Sequence, residues 1–276
     1  LRLGPEPRLV RGFHEYKIAK YTTVDYVPYD AADPIMRQLE SAVADIFVER
    51  DVLEFMLMYM STGLDNGKSA NLFVEMFGDG ADGKSFLLSM HRNTLGTQYC
   101  LAAKPALLTS ASEKAGQTNS SLFLLKGMRF FTCEEFNAGD AYNEAALKSI
   151  TDGVVTCRGV YRANEESFEL KCNGIAATNH DLNIQSQDHG FWRRYYKYYT
   201  KNKFVAHPDP NNPFEKKVDL RYRNIYVFDP HWQQRWLSLL VYWNTVLRTK
   251  YANDVNNIPV PSIARTLPAA GGCARG

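Results

Sequence analysis

The chain has no CxxC pair, no two histidines four residues apart, no long apolar run and almost no excess of either charge. Each absence removes a class of protein. Five cysteines in 276 residues, odd in number, suggest neither a disulfide framework nor a zinc site and point to a reducing, intracellular compartment. The six histidines are scattered, so metal chemistry built on His and Cys is not expected. The apolar stretches Leu53–Met60 and Leu237–Trp243 are interrupted by Glu54 and Ser238 and fall far short of the roughly 18–20 residues that span a bilayer, so no membrane partner is expected. With 32 Lys+Arg against 30 Asp+Glu, the net charge of +2 excludes a polybasic arm or an acidic tail as the main device, though not a local basic patch. There is no internal repeat. The opening Leu1-Arg2-Leu3-Gly4-Pro5 has neither an initiator Met nor a signal-peptide apolar region and reads as the cut edge of a longer polypeptide.

What is present is a chain 45% hydrophobic and 13% aromatic, enough to bury a sizeable core. The pattern divides into a helical lead-in over 1–65, a core over 66–205, a loop and helical segment over 206–267 and a loose Gly/Ala-rich tail over 268–276. Ile35, Met36, Leu39, Ala42, Val43, Ile46 and Phe47 recur at helical spacing. A second helix over Val52–Thr62 is apolar on nearly all sides. The core then alternates a buried strand (Asn71–Phe77), a helix (Lys84–Asn93), a strand (Met128–Glu134), a short helix (Ala141–Ile150) with a Glu144–Lys148 pair, a hairpin (Val154–Tyr161 with Ser167–Cys172) and strands at Gly174–Thr178 and Arg194–Tyr199. A last helix covers Asp229–Thr249. Strands alternating with helices predict an α/β fold with a mainly parallel central sheet.

Gly78-Asp79-Gly80-Ala81-Asp82-Gly83-Lys84-Ser85 fits GxxxxGK[ST] between a strand and a helix, which is the context that motif requires. Glycines let the backbone curl so that several N–H groups face a phosphate, assisted by the positive end of the following helix. The nucleotide-binding set runs from Gly78 through Phe86. Within it Lys84 would reach the β- and γ-phosphates of ATP, and the Ser85 hydroxyl would ligate Mg²⁺.

Hydrolysis needs further acids at a neighbouring strand end. Phe130-Phe131-Thr132-Cys133-Glu134-Glu135 supplies them: Glu134 for the Mg²⁺–water shell and Glu135 as base, the order of the two left open. Ile175-Ala176-Ala177-Thr178-Asn179 is another strand, ending in an amide that could hold the γ-phosphate or the attacking water. Arg193 and Arg194 stand just before a strand, where adjacent side chains point to opposite faces; one could enter a site while the other packs locally. Five Lys/Arg and no acid lie between 193 and 203, the clearest basic run of the chain. Lys148, Arg158, Arg162 and Lys171, with Tyr161 and Phe168 interleaved, surround the hairpin and suit contact with a single strand of nucleic acid.

In this fixed order the motifs resemble the superfamily 3 helicase AAA+ ATPase domain. The resemblance is greatest to the primase–helicases of poxviruses and other large DNA viruses, with related phage and plasmid replication proteins, over about residues 30–265. It implies an AAA+-type P-loop NTPase with an N-terminal helical collar and a C-terminal helix, using ATP and Mg²⁺. It also implies a homo-oligomeric ring, a hexamer, with arginines acting in trans and hairpins gripping single-stranded DNA. A primase domain would lie upstream in the same polypeptide, and the work would be done at a site of viral or plasmid DNA replication. The sequence departs from the family's pattern where Asp82 replaces a frequent Asn, where His180-Asp181-Leu182 lacks a proline, and where Tyr195–Tyr199 lacks a closing Pro-Phe. A P-loop ATPase for protein remodelling or genome packaging shares every catalytic residue; a scaffold with vestigial hydrolysis would not need the Glu134–Glu135 pair.

Overall fold

The Asp33 carboxylate accepts hydrogen bonds from the backbone N–H groups of Ile35 and Met36 and, with Pro34 in the first turn, starts α1 (Pro34–Ile46). In this computed structural model residues 20–65, 70–109, 120–157, 166–184 and 188–261 are described, with the isolated Leu3, Glu6 and Asn164. The loose tail predicted over 268–276 lies outside the described residues. After α1 come α2 (Arg50–Ser61), β1 (Phe73–Phe77), α3 (Lys84–Leu95), β2 (Cys100–Ala103), α4 (Ala106–Thr109), α5 (Ser120–Phe123) and β3 (Phe130–Cys133). The second half runs α6 (Glu144–Asp152), β4 (Val154–Cys157), β5 (Glu166–Glu169), β6 (Asn173–Thr178), α7 (His189–Trp192), β7 (Tyr195–Tyr199), β8 (Lys203–Val205), β9 (Glu215–Lys217), α8 (Arg221–Asn224) and α9 (Pro230–Tyr251).

Five strands form one parallel sheet in the order β2-β3-β6-β1-β7. The α/β class and the mainly parallel sheet are therefore as the sequence implied. β6 lies between the phosphate-loop strand β1 and the acid-bearing strand β3, so the chain passes to β3 before returning to fill the gap. Alternate residues serve opposite faces. Val74, Met76, Phe130, Ile175, Ala177, Tyr196 and Tyr198 pack with α1, α2, α3 and α9. Phe73, Phe131, Cys133, Ala176 and Tyr195 pack with α4, α6, the β4–β5 hairpin and Phe191 of α7. Trp236 of α9 is fully buried in the first cluster, and such a side chain contributes about 3 kcal/mol or more of burial.

α2 is apolar all round because it is enclosed: every residue from Phe55 to Ser61 is buried. Its Tyr59 hydroxyl lies 2.9 Å from the Gly174 carbonyl and 3.2 Å from that of Leu72, fixing the helix to the entry ends of β6 and β1. Arg235 of α9 pairs with Asp33 at 2.8 Å, joining the last helix to the cap of the first and holding the Asp33 carboxyl below its usual range. The lead-in helices thus share one core with the sheet. Among the described residues no helix is long and apolar enough to cross a membrane.

Candidate active site

Four chain segments leave the sheet along one edge: Gly78 after β1, Glu134 after β3, Asn179 after β6 and Thr200 after β7. That edge is formed by the C-terminal strand ends, where open α/β sheets place ligands. A cleft of about 160 Å³ there is lined by Lys84, Ser85, Glu134, Glu135, Thr178, Asn179 and His180. Residues spread over about a hundred positions of sequence meet in it.

The phosphate loop is built by backbone conformation. Gly83, at φ +86, precedes α3, and a Cβ there would sit 2.6 Å from Ile46 Cγ1 of α1, so no other residue fits. Ala81 also adopts positive φ, +54, and its carbonyl accepts from the Phe204 N–H at 2.6 Å. The Asn179 amide stands above the loop, with its Nδ2 3.8 Å from where a Cβ on Gly80 would be. Lys84 is buried; it donates to the Gly78 carbonyl at 3.1 Å and pairs with Asp82. Phe86 turns its ring away, edge-on to Tyr222 with centroids 5.2 Å apart, so of the nine loop residues it can offer a phosphate only its backbone N–H.

Glu135 is held at φ +64, a conformation strained for a residue with a Cβ and characteristic of functional turns. Glu134 lines the cleft and also pairs with Arg92 of α3, a residue the sequence reading did not single out. Arg92 donates to Thr132 Oγ1 at 2.9 Å and Ser89 Oγ at 3.0 Å, so its guanidinium is fixed in place. Ser85, Ser89 and Arg92 are four and three residues apart on one face of α3, a spacing visible in the sequence.

The loop, the α3 N-terminus and Lys84 fit a triphosphate. For a divalent cation, Ser85 and Glu134 provide two oxygen donors, and among the described residues no cluster of three metal-binding side chains exists. The remaining ligands would be phosphate and water oxygens, the usual arrangement for Mg²⁺.

Beneath the cleft, Glu75 on β1 is fully buried and accepts hydrogen bonds from the hydroxyls of Tyr142 and, at 2.7 Å, Tyr195. Burial first, and the Glu75 carboxylate second, push both tyrosines well above their ordinary range. Lys197 reaches Glu75 Oε1 at 3.3 Å and pairs with Asp181, two residues past Asn179.

Both arginines precede β7, as expected, the strand beginning at Tyr195 and not at Arg194. Arg193 caps α7 in helical conformation, φ −66 and ψ −21, and is exposed. Arg194 donates to the Gly190 carbonyl at 2.7 Å and to Asp152 at 2.5 Å. Because Tyr195 pairs with Phe73, both arginines lie at the entry end of the sheet, about 15 Å from the phosphate-loop edge. The basic run they begin is largely neutralised: Lys197 pairs with Asp181, Lys201 with Glu49 and Lys203 with Asp79. Among the described residues, Arg193 alone of the five has no acidic partner.

The hairpin is also partly reassigned. Lys148 pairs with Asp188 at 2.6 Å, where Glu144 was expected, and its hydrogen bond draws the Asp188 carboxyl below the ordinary range. Lys171 lies at the hairpin base, 3.5 Å from Glu169, beside Asp65 and Asn244. Phe168 is half-buried edge-on to Phe123, centroids 6.1 Å apart, and so belongs to the packing of the hairpin stem. Arg158, Tyr161 and Arg162 lie outside the described residues.

A phosphate loop between β1 and α3 of this sheet, with acids and an amide at the next strand ends, defines a P-loop NTPase fold. Over 257 residues, 93% of this chain, the sequence is 35% identical to an African swine fever virus protein designated a primase. It is 27% identical over 238 residues, 81% of the chain, to an Acanthamoeba polyphaga mimivirus protein designated a helicase. The chain spans about a quarter of the length of these curated relatives, 27% and 24% respectively. An apo structure of the NrS-1 C-terminal region shares the fold, with a TM-score of 0.53 at 12% identity over 78% of this chain and 46% of that one. No protein-family model matches the chain. The resemblance to the helicase region of large-DNA-virus primase–helicases, read first from the motifs, is borne out by these similarities.

Proposed function

We propose that this chain is the ATP-hydrolysing motor of a superfamily 3 DNA helicase acting in viral DNA replication, and that it works as a ring, a hexamer, moving along single-stranded DNA. The observation that carries the hydrolytic part of this reading is the convergence of Lys84, Ser85, Glu134, Glu135 and Asn179 on one cleft, and the similarity to viral proteins designated a primase and a helicase supports the replicative part. Lys84 and the loop amides stabilise charge on the phosphates. Ser85 and Glu134 would hold Mg²⁺, which when bound neutralises charge on the phosphate oxygens. Glu135 takes the proton of the attacking water, and Asn179 orients that water.

An incompleteness of the site within one chain supports the ring. Phosphoryl transfer to water is accelerated by an arginine at the transferring phosphate; within one chain Arg193 stands at the other end of the sheet, and Arg92 beside the cleft is taken up by Glu134. A neighbouring copy can supply it. The hairpin between α6 and β6, with Arg158, Arg162 and Lys171, is the proposed contact with the DNA strand, and a primase domain upstream in the same polypeptide is part of the proposal. The decisive experiment is phosphate release by the purified chain with and without single-stranded DNA. ATP turnover stimulated by the strand and abolished by Lys84→Ala is expected. Turnover indifferent to DNA would favour a remodelling or packaging motor, and turnover that survives Lys84→Ala would remove the phosphate-loop assignment.

A further inference from the structure

The phosphate loop carries an acid where an anion has to bind. Asp82 immediately precedes Gly83, its carboxylate pairs with Lys84, and both side chains are only 6% exposed. The same carboxylate accepts from Thr200 Oγ1 at 2.7 Å. Thr200 is itself fixed, its backbone N–H donating to the Phe77 carbonyl at 2.8 Å at the end of β1. A Cβ on Gly78 would lie 1.9 Å from Thr200 Oγ1 and 2.4 Å from Asp82 Oδ2, so the glycine at this position admits the trio as well as a phosphate.

We propose that Asp82 is a built-in competitor of phosphate for Lys84, with Thr200 retaining the carboxylate when the lysine turns to a nucleotide. The proposal rests on the nucleotide-binding reading above. Buried, paired charges are costly to separate, and a lysine already neutralised attracts a triphosphate less strongly. Asp82 would therefore lower the affinity for ATP and ADP alike and hasten release of the product. Thr200 eases the exchange: once the Lys84 ammonium leaves, its hydroxyl is the one side-chain donor left to the carboxylate among the described residues, beside the Lys84 backbone N–H 3.4 Å from Oδ1. Neither residue touches the reacting atoms; both act through the position of Lys84.

Asp82→Asn separates charge from scaffolding, since the amide oxygen can still accept from Thr200 while the negative charge is gone. Binding of MgATP, ADP and pyrophosphate to the full chain is measured by calorimetry, with melting temperature recorded without ligand. The expected result is about tenfold tighter binding by Asp82→Asn for all three ligands, with a steeper loss of affinity as salt rises, because one more uncompensated cation faces the phosphates. Thr200→Val should weaken binding in the native background and have no effect beside Asp82→Asn. Binding by Asp82→Asn that is equal to or weaker than that of the native chain overturns the proposal, and Asp82→Ala answers the same question if the amide variant does not fold. A Thr200→Val effect of equal size in both backgrounds overturns the retaining role. If the native chain binds none of the three ligands while Asp82→Asn binds them, the competition is supported in its strongest form. If neither binds, both this proposal and the nucleotide-binding reading fall; if both bind equally, only this proposal falls.

Discussion

Arg92 and Glu134 form an ion pair behind the phosphate cleft, between α3 and the end of β3. Ser89 and Thr132 hold the guanidinium, so the carboxylate is presented to the cleft from a fixed anchor of opposite charge. A divalent cation beside Ser85 must share Glu134 with that anchor. Replacing Arg92 with Met is expected to lower the Mg²⁺ concentration for half-maximal ATP turnover several-fold, while turnover at saturation falls because Glu134 loses its orientation. A Mg²⁺ titration of the variant checks both effects. An unchanged half-saturation point would show that Arg92 only packs.

Arg193 and Arg194 are neighbours with different surroundings. Arg194→Ala removes the partner of Asp152 and should lower thermal stability and loosen α7. Arg193→Ala removes a side chain with no acidic partner among the described residues, so it should leave folding and nucleotide binding intact and abolish turnover. Mixing inactive Lys84→Ala and Arg193→Ala chains gives the sharper test. Some interfaces of a mixed ring join a native phosphate loop to a native Arg193, and activity should reappear. Two variants that remain inactive together would argue against an arginine acting between copies.

His91 supplies a pH dependence unrelated to catalysis. It is fully buried on α3, its Nδ1 accepts from Trp236 Nε1 at 3.3 Å, and burial pushes its pKa down from 6.5 to about 3. Below pH 6.5 the unfolded chain takes up a proton that the folded chain refuses, so stability is full above 6.5 and falls as the pH drops towards 3. At pH 5 this group alone costs about 2 kcal/mol. Urea unfolding midpoints should fall between pH 7 and 5, and in His91→Leu that fall should flatten. An identical slope in the two proteins would assign the acid sensitivity elsewhere.

The parts of this molecule that could be read from the chain are those fixed by neighbouring residues. Asp33-Pro34 and Asp229-Pro230 announce their helices through capping and first-turn proline, and the structure begins α1 and α9 there. β1 and β3 were legible as apolar runs because both faces of the sheet are covered. β2, four residues at the sheet edge, is too short to carry a period, and the three-residue β8 and β9 carry none. The site divides the same way. The phosphate loop is continuous and spelled itself out, whereas the anchors of its charges are remote: Thr200 reaches Asp82 across 118 positions and Arg92 reaches Glu134 across 42. Lys148 was assigned to Glu144 by helical spacing, and its partner proved to be Asp188, forty residues away. Local rules give side chains their neighbours on one element, but only the packing of elements decides between competing partners.

The two ion pairs from α6 to the residues flanking α7, Lys148–Asp188 and Arg194–Asp152, would have a mechanical meaning in the proposed ring. α6 runs through Gly153 straight into β4, so the stem of the hairpin, α6, α7 and the exposed Arg193 form a single bracket. In the proposed ring, one end of that bracket would touch the strand being pulled and the other the phosphate of the adjoining copy. Tension on the strand would then register at a neighbour's site without passing through the chain's own phosphate loop. Load and firing order would share one part of the chain.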